Sequence, residues 1–380
     1  MFSQFKINNT LYYSKFDMIR KYLIIFFIIV SNYVYANNSN IYLIKDIEVI
    51  IEDKEELIAR GIALNEAFEK SFNKLLKKLV SDENFRKIKY NDQFDLIPFI
   101  KDYKIKNEEF FDSKYTVLID VNFYEEKISI YLDSFKLNKS NLVSEDFLVL
   151  PVYSELKNLY LWEKKNKWYS DLINEYDNQS LLNLYFPEQN FLNNFIASPK
   201  EIIQKKSDKL SKILSKFKKN SGIIIFLEEV YDPYLENFKS NIFLTQFTKD
   251  KLENIKIIDS RLKNIVSKTS QRELLAKYTI EELNAWWKNK TKLPNLLNEI
   301  YVINLTYQSN SIIESIKLEN ILSQSTFIKQ IKKMEFNKKN IIYEITAIGD
   351  VEKINLSLRP KNIFLKKMIN SDTYKIETLF

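Results

Sequence analysis

The 380-residue chain contains no cysteine and no histidine. Without cysteine it has no disulfide, no thiol nucleophile and no thiolate metal site. Without histidine it has no Ser-His-Asp triad, no imidazole zinc site and no side chain that titrates near neutral pH at its ordinary pKa. These two absences exclude most hydrolase mechanisms and the common zinc sites, so we expect no cofactor and no metal.

Glycine and arginine are also scarce. The three glycines, Gly61, Gly222 and Gly349, are far apart, so no glycine-rich loop can hold a phosphate group. Nearly all the basic residues are lysine, whereas nucleic-acid recognition relies on arginine forks and clustered basic faces. We therefore expect neither nucleotide-dependent chemistry nor a nucleic-acid partner.

The stretch Met18–Ala36 has the layout of a secretory signal peptide. Arg20 and Lys21 precede the apolar run Leu23–Val30, and small residues precede Asn37. This pattern predicts cleavage between Ala36 and Asn37, with Met18 as the true start. The net charge of +7 would then fall to +4, because residues 1–36 carry four basic side chains and one acidic one.

An uncleaved membrane anchor is the alternative for this stretch. A spanning helix needs roughly 20 apolar residues, but Ser31 and Asn32 interrupt the run. Cleavage is favoured, so we expect a periplasmic protein that contacts the membrane only through its signal peptide before processing.

The next hundred residues predict a βαββα unit. Ile41–Ile51 has the composition of a strand, and Tyr115–Phe123 alternates as a second one before a helix over Glu125–Leu137. Between the strands, apolar positions recur three or four apart and predict one buried stripe on a long helix: Leu57, Gly61, Leu64, Phe68, Phe72, Leu75 and Leu79. The opposite face, which includes Lys70, Lys74 and Lys77, is expected to be solvated.

The rest of the chain predicts two further α/β units. Phe147–Val152 is a wholly apolar strand, and Ser198 to Glu201 forms a capping box with proline at the first helical position. Strands are expected at Gly222–Val230 and Ile242–Phe247, before a helix over Arg272–Lys290. After Pro294 the order β-α-β-β-α-β, which ends with a strand at Ile363–Ile369, is the ferredoxin-like pattern.

The expected fold class is therefore α+β, in several small modules. The boundaries are 1–36 for the signal peptide, 37–143 for the N-terminal module, 144–293 for the middle module and 294–380 for the ferredoxin-like module.

Without histidine or cysteine, an enzyme of this sequence would need carboxylates, lysine or tyrosine, and the nearest approach to a catalytic site is a weak acidic one. Glu228 and Glu229 with Asp232 come at the end of a strand, but neighbours along a strand point to opposite faces and cannot flank one bond. Asp120 lies on the polar side of its strand, where solvation explains it. We therefore assign no catalytic residues.

All four tryptophans fall in the middle module. Trp162, Asn166 and Trp168 form one cluster, and Trp286 with Trp287 forms another, so these five residues are a candidate interaction surface. Adjacent residues on a helix point about 100° apart, so one of Trp286 and Trp287 could be core and the other an interface anchor. The alternative is that all four tryptophans belong to the core.

The chain also resembles a family of proteobacterial exported proteins, the domain of unknown function 2066 family. The resemblance rests on the helix pattern Ala59–Leu64, Ala67-Phe68 and Leu75–Leu79, and on the strands Val117–Phe123 and Phe147–Pro151. The tryptophan cluster from Leu161 to Trp168 follows in the same order. The resemblance implies a secreted protein of unestablished activity and supplies no site residues.

The leader and the missing catalytic chemistry together favour a non-enzymatic accessory protein of the cell envelope, which acts through an envelope protein partner. A carboxylate-dependent periplasmic hydrolase is one alternative, and a module that binds lipid or a small ligand through the tryptophans is another.

Overall fold

The computed structural model describes residues 40–88, 94–156, 158–232, 237–260, 268–292, 300–309, 311–336, 340–369 and 371–378. The signal peptide and its cleavage site at Ala36 and Asn37 lie outside these residues. The described part is an α+β fold with three separate sheets.

The N-terminal unit is a three-stranded sheet covered by a long helix. Its strands lie in the order β1-β3-β2, and β3 pairs antiparallel with both neighbours. Helix α1 packs its apolar face on β1 and β3, so this unit has a core of its own. The elements are β1 (Leu43–Glu52), α1 (Glu56–Leu79), α2 (Asp82–Lys87), β2 (Ile100–Phe111), β3 (Lys114–Phe123) and α3 (Glu125–Ser134). The expected βαββα order is present, with the short α2 added.

The buried face of α1 differs from the predicted stripe at its first two turns. Ala59 and Ala63 are fully buried there, whereas Leu57 is 82% exposed and Gly61 is exposed. Small alanine side chains let the helix approach the sheet closely, so the buried face is rotated relative to a stripe drawn through the larger residues. From Phe68 onward the predicted and observed faces agree.

The middle unit is a sheet covered on both faces. Its strands lie in the order β5-β4-β7-β8-β9, β4 and β7 are parallel, and β6 pairs with β4. Helices α4 and α7 cover one face and α5 and α6 the other, which explains why β4 is apolar and buried from Phe147 to Tyr153. The elements are β4 (Phe147–Glu155), β5 (Asn158–Tyr160), α4 (Lys167–Glu175), β6 (Leu184–Tyr185), α5 (Pro199–Ile203), α6 (Ser207–Phe217), β7 (Ser221–Asp232), β8 (Asn237–Thr248), β9 (Leu252–Ser260) and α7 (Lys268–Thr291).

Three local features of this unit depend on individual residues. The predicted capping box is present, since Ser198 Oγ accepts from the Glu201 N–H and the Glu201 carboxylate accepts from the Ser198 N–H. The helix that begins at this box ends before Lys205, whose φ is 55°, so α5 and α6 are two separate helices. Gly222 has no space for a side chain, because a Cβ there would lie 2.3 Å from the Phe247 ring.

The C-terminal unit has the predicted βαββαβ order and one further strand. Its sheet order is β11-β12-β10-β14-β13. The predicted last strand, β13, lies at the edge, while the unpredicted β14 runs parallel to β10 and takes the position beside it. The elements are β10 (Ile300–Gln308), α8 (Ile312–Ser323), β11 (Ile328–Phe336), β12 (Asn340–Ile348), α9 (Val351–Leu358), β13 (Ile363–Lys367) and β14 (Thr373–Thr378).

One continuous apolar core joins the middle and C-terminal units, and it includes Phe147, Trp287, Leu305 and Tyr343. The N-terminal core is separate, with Ile41 packed against both. Each of the three sheets falls within one of the three folded segments expected from the sequence, although the boundaries themselves stay a prediction.

Candidate functional site

The first tryptophan cluster lies inside the protein. Trp162 and Trp168 are buried, and their indole N–H groups donate to backbone carbonyls of the same unit, at 2.8 Å for Trp162 and 3.3 Å for Trp168. Asn166 is fully buried, donates to the Pro151 carbonyl at 2.8 Å and caps α4 by accepting from the Tyr169 N–H. These three residues build the core and present no surface to a partner.

The second cluster divides between core and surface. Trp287 is buried and its indole N–H donates to the Leu142 carbonyl at 2.8 Å. Trp286 is half-buried, with its ring centroid 6.0 Å from that of Phe147 and 5.2 Å from Lys290 Nζ. Of the five residues predicted as an interaction surface, Trp286 alone keeps a partly exposed side chain.

The acidic candidates do not converge on a site. Glu229 is buried and accepts from the Tyr153 hydroxyl at 2.7 Å, whereas Glu228 faces the other side of the sheet. Burial, followed by the bond to Glu229, raises the pKa of Tyr153. The side chain of Asp232 lies outside the described part.

Two other acidic groups are held by cations. Beneath Glu229, Asp171 and Arg272 form a buried ion pair that joins α4 to α7. Asp120 accepts from Lys106 Nζ at 2.8 Å and from the Asp46 N–H at 2.9 Å, so this carboxylate is paired rather than only solvated. Both arrangements stabilise the fold.

A cleft of about 800 Å³ lies where the N-terminal unit meets the middle unit. Its walls come from the C-terminal half of α1, from α2, from the segment after α4 and from α7. Six basic and three acidic side chains line it: Lys70, Lys74, Lys77, Lys78, Arg86 and Lys288, with Asp82, Asp177 and Glu281. The cleft is therefore a basic site of the size that small ligands and side chains occupy.

Polar contacts hold the cleft wall formed by the segment after α4. The Gln179 side chain accepts from the Lys45 N–H at 2.7 Å and donates to the Lys45 carbonyl at 3.0 Å. Lys74 Nζ lies 3.0 Å from the Asp177 carboxylate. These contacts tie β1 and α1 of the N-terminal unit to the segment after α4.

Lys288 lines the cleft from α7. Its ammonium group donates to the Lys77 and Val80 carbonyls, each at 3.0 Å, and lies 3.8 Å from an Asp82 carboxylate oxygen. These carbonyls belong to the C-terminal end of α1, where a cation is favourable. Burial lowers the pKa of Lys288, and Asp82 opposes that shift.

Lys78 is a half-buried cation of the cleft that has no hydrogen-bond or ion-pair partner in the described part of the chain. Burial lowers the pKa of Lys78 to about 8, the nearby Asp177 opposes the shift, and Lys74 and Lys45 add to it. The site thus holds positive charge that the chain itself leaves uncompensated, and an anion entering the cleft would compensate it.

Sequence reasoning placed the lysines of α1 on a solvated face and missed this cleft. The signal available was weak, since a helix face with Lys70, Lys74 and Lys77 is usually just surface. The opposing wall comes from residues 177–181 and 281–288, about a hundred and two hundred positions along the chain, and no local pattern connects them.

Among the described residues, no group of three acidic side chains is placed to hold a metal ion. Within the same residues, the helices are all too short or too polar to cross a bilayer.

No protein-family model matches this chain, and no curated protein matches it significantly. The resemblance to the domain of unknown function 2066 family therefore stays a prediction.

Proposed function

We propose that this chain is a non-enzymatic accessory protein of the cell envelope, and that its basic cleft binds an acidic segment of a partner protein. Export to the periplasm rests on the signal-peptide pattern in residues 18–36. The binding role rests on one observation, which is the unpartnered, half-buried Lys78 on the wall of a cleft lined by six cations.

The energetics favour an anion as the occupant. A half-buried ammonium group without a partner loses hydration and gains no compensating contact. A carboxylate placed near Lys78 would supply that contact and would also face Lys74 and Lys77 on the same helix wall. Binding would raise the pKa of Lys78 toward its ordinary value of 10.5.

The side chains that line the cleft are suited to binding an acidic group. Its lining consists of lysine, arginine, amide and three acidic side chains together with Phe85, Ser180 and Leu181, and the sequence has neither histidine nor cysteine. Because the cations are carried by the helices α1, α2 and α7, and hydrogen bonds hold the segment after α4 in place, an acidic side chain would meet a largely preformed site.

In-cell photo-crosslinking tests this proposal. A photoreactive residue replaces Asn284 on the cleft wall, and a second one replaces Lys332 on β11 as a control position. We expect a discrete protein adduct from position 284 that is absent from position 332. Lys78→Met should abolish that adduct, whereas Lys104→Met, which removes an exposed lysine of β2, should preserve it.

Two results would overturn the proposal. One is the absence of a protein adduct from position 284 while the crosslinked protein is present and folded in the envelope. The other is an adduct of equal yield in the Lys78→Met variant, because a partner held by the cleft cations must respond to the loss of the half-buried Lys78 charge.

A further inference from the structure

A short 3-10 turn at Phe191–Phe195 displays three large apolar side chains to solvent. Phe191 is 62% exposed, Leu192 is 64% exposed and Phe195 is 79% exposed. Isolated exposed apolar residues are ordinary on protein surfaces, but three within five positions form a patch that calls for an explanation.

The turn is held firmly beneath these side chains. Asn193 is buried, its carbonyl accepts from the Ile196 and Ala197 N–H groups at 3.0 Å each, and its side chain accepts from Lys216 Nζ. The Asn190 side chain accepts from the Leu192 N–H at 2.9 Å. The apolar groups are therefore presented by an ordered support.

Exposed lysines surround this turn. Lys216 reaches it from α6, and Lys212 lies one helical turn away on the same face of that helix. On the other side, the Glu163 carbonyl accepts from the Gln189 side chain at 2.8 Å, and Lys164 and Lys165 follow Glu163 as exposed residues.

The nearby acidic groups are fewer. Glu188 is exposed, and Asp208 is exposed one turn before Lys212 on the same face of α6. Glu163 is half-buried and accepts from the Leu161 N–H at 2.8 Å. The patch therefore combines an apolar centre with a positive surround.

We propose that the Phe191–Phe195 turn docks the protein on the surface of an anionic lipid bilayer. Phe191, Leu192 and Phe195 enter the boundary between headgroups and acyl chains, and the surrounding lysines contact anionic headgroups. This contact is separate from the basic cleft and from any membrane contact of the signal peptide, so it goes beyond the function proposed above.

The size of the patch favours lipid over protein. Three side chains of at most about 250 Å² each, roughly two-thirds exposed, offer no more than about 500 Å². A stable protein interface buries about 800 Å² on each partner. A bilayer needs no shape complementarity, and a small apolar anchor with a few lysines is the combination that peripheral membrane proteins use.

Vesicle flotation tests the proposal on the full protein. Vesicles of phosphatidylglycerol with phosphatidylethanolamine are compared with vesicles of phosphatidylcholine, at low and high salt. All proteins carry the same N terminus, so any contribution from residues 1–36 is common to them. We expect the wild type to partition at least about tenfold more strongly into the anionic vesicles, with the difference reduced by salt.

Two variants separate the apolar and charged contributions. Phe191→Ser with Leu192→Ser and Phe195→Ser should weaken partitioning at least about tenfold. Lys164→Gln with Lys165→Gln should weaken it roughly fivefold per lysine and only at low salt.

The matched control removes three exposed apolar side chains elsewhere, by Leu57→Ser, Ile58→Ser and Ile62→Ser on α1, and should leave partitioning unchanged. Circular dichroism confirms that each variant is folded. Equal partitioning of the wild type and the turn variant overturns the proposal. The proposal is also overturned if the wild type binds neither vesicle type and a photoreactive residue at position 192 gives only a protein adduct in cells.

Discussion

At the scale of single residues, burial decides which polar groups build the fold and which are left for a ligand. Asn166, Asp171, Glu229 and Arg272 are all buried, and each has a partner inside the protein. Lys78 differs, because it is half-buried and the described part of the chain supplies no partner for it. A residue kept at such a cost to stability is the kind that functional sites retain.

Replacing Lys78 by methionine should stabilise the protein at neutral pH. The pKa is about 8 in the folded protein and 10.5 ordinarily, so the unfolded chain binds more protons between those two pH values. Wild-type stability therefore rises with pH across that window. The shift corresponds to about 3 kcal/mol before the partial solvent exposure of Lys78 is taken into account. We therefore expect Lys78→Met to be more stable at pH 7 by on the order of 1 to 2 kcal/mol, and the advantage to disappear by about pH 10.5.

Urea unfolding of both proteins at several pH values measures this difference. Lys104→Met, at an exposed lysine, serves as the control and should show a difference from wild type that does not change with pH. A Lys78→Met advantage that is constant with pH, or absent at pH 7, would contradict the lowered pKa.

Asn166 should be a stability residue. Its Oδ1 caps α4 and its amide donates to the Pro151 carbonyl, so Asn166→Ala loses a cap and leaves a buried carbonyl without that donor. We expect a loss of about 2 kcal/mol in the free energy of unfolding. The comparison is Ser170→Ala on the exposed side of α4, which should change stability by less than about 0.5 kcal/mol. If Asn166→Ala left the free energy of unfolding nearly unchanged, these hydrogen bonds would contribute little to stability.

At the scale of elements, the closeness of packing decides which face of a helix is buried. The periodicity of α1 gives its length and type, but its first turns bury alanines and expose Leu57. We expect Ala63→Leu to destabilise the protein by about 1 to 3 kcal/mol through overpacking against the sheet. Leu57→Ala should stay within about 0.5 kcal/mol. Thermal unfolding of the two variants decides between the two faces, because a buried Leu57 would instead cost about 2 kcal/mol or more.

Local sequence patterns predicted most of the helices and strands. They failed where contacts with distant segments of the chain determine the structure. The alternation in Tyr115–Phe123 and the capping box at Ser198 are properties of a few neighbouring residues, and both predictions are confirmed. Strand β14 was missed because Thr373–Thr378 carries little apolar signal and is fixed by pairing with β10. The cleft was missed for a related reason, since its walls come from three distant parts of the sequence.

For the whole molecule, the distribution of apolar cores predicts the order of unfolding. The middle and C-terminal sheets share one core, whereas the N-terminal sheet has its own and is joined to the rest by Ile41 and by polar contacts. Among these contacts, Lys288 donates to the Lys77 and Val80 carbonyls, and Gln179 pairs with the backbone of Lys45. Polar contacts at a partly exposed boundary couple two units less strongly than a continuous core does.

We therefore expect the N-terminal unit to unfold before the rest in urea. All four tryptophans lie in the middle unit, so tryptophan fluorescence reports only the later step, whereas far-ultraviolet circular dichroism reports both. Lys288→Met removes the donor from two carbonyls at the end of α1, so it should lower the midpoint of the first step and leave the fluorescence midpoint in place. Lys332→Met, on exposed β11, should shift neither. Coincident transitions by both probes, in the wild type and in Lys288→Met, would mean that the polar boundary couples the units as tightly as the shared core does.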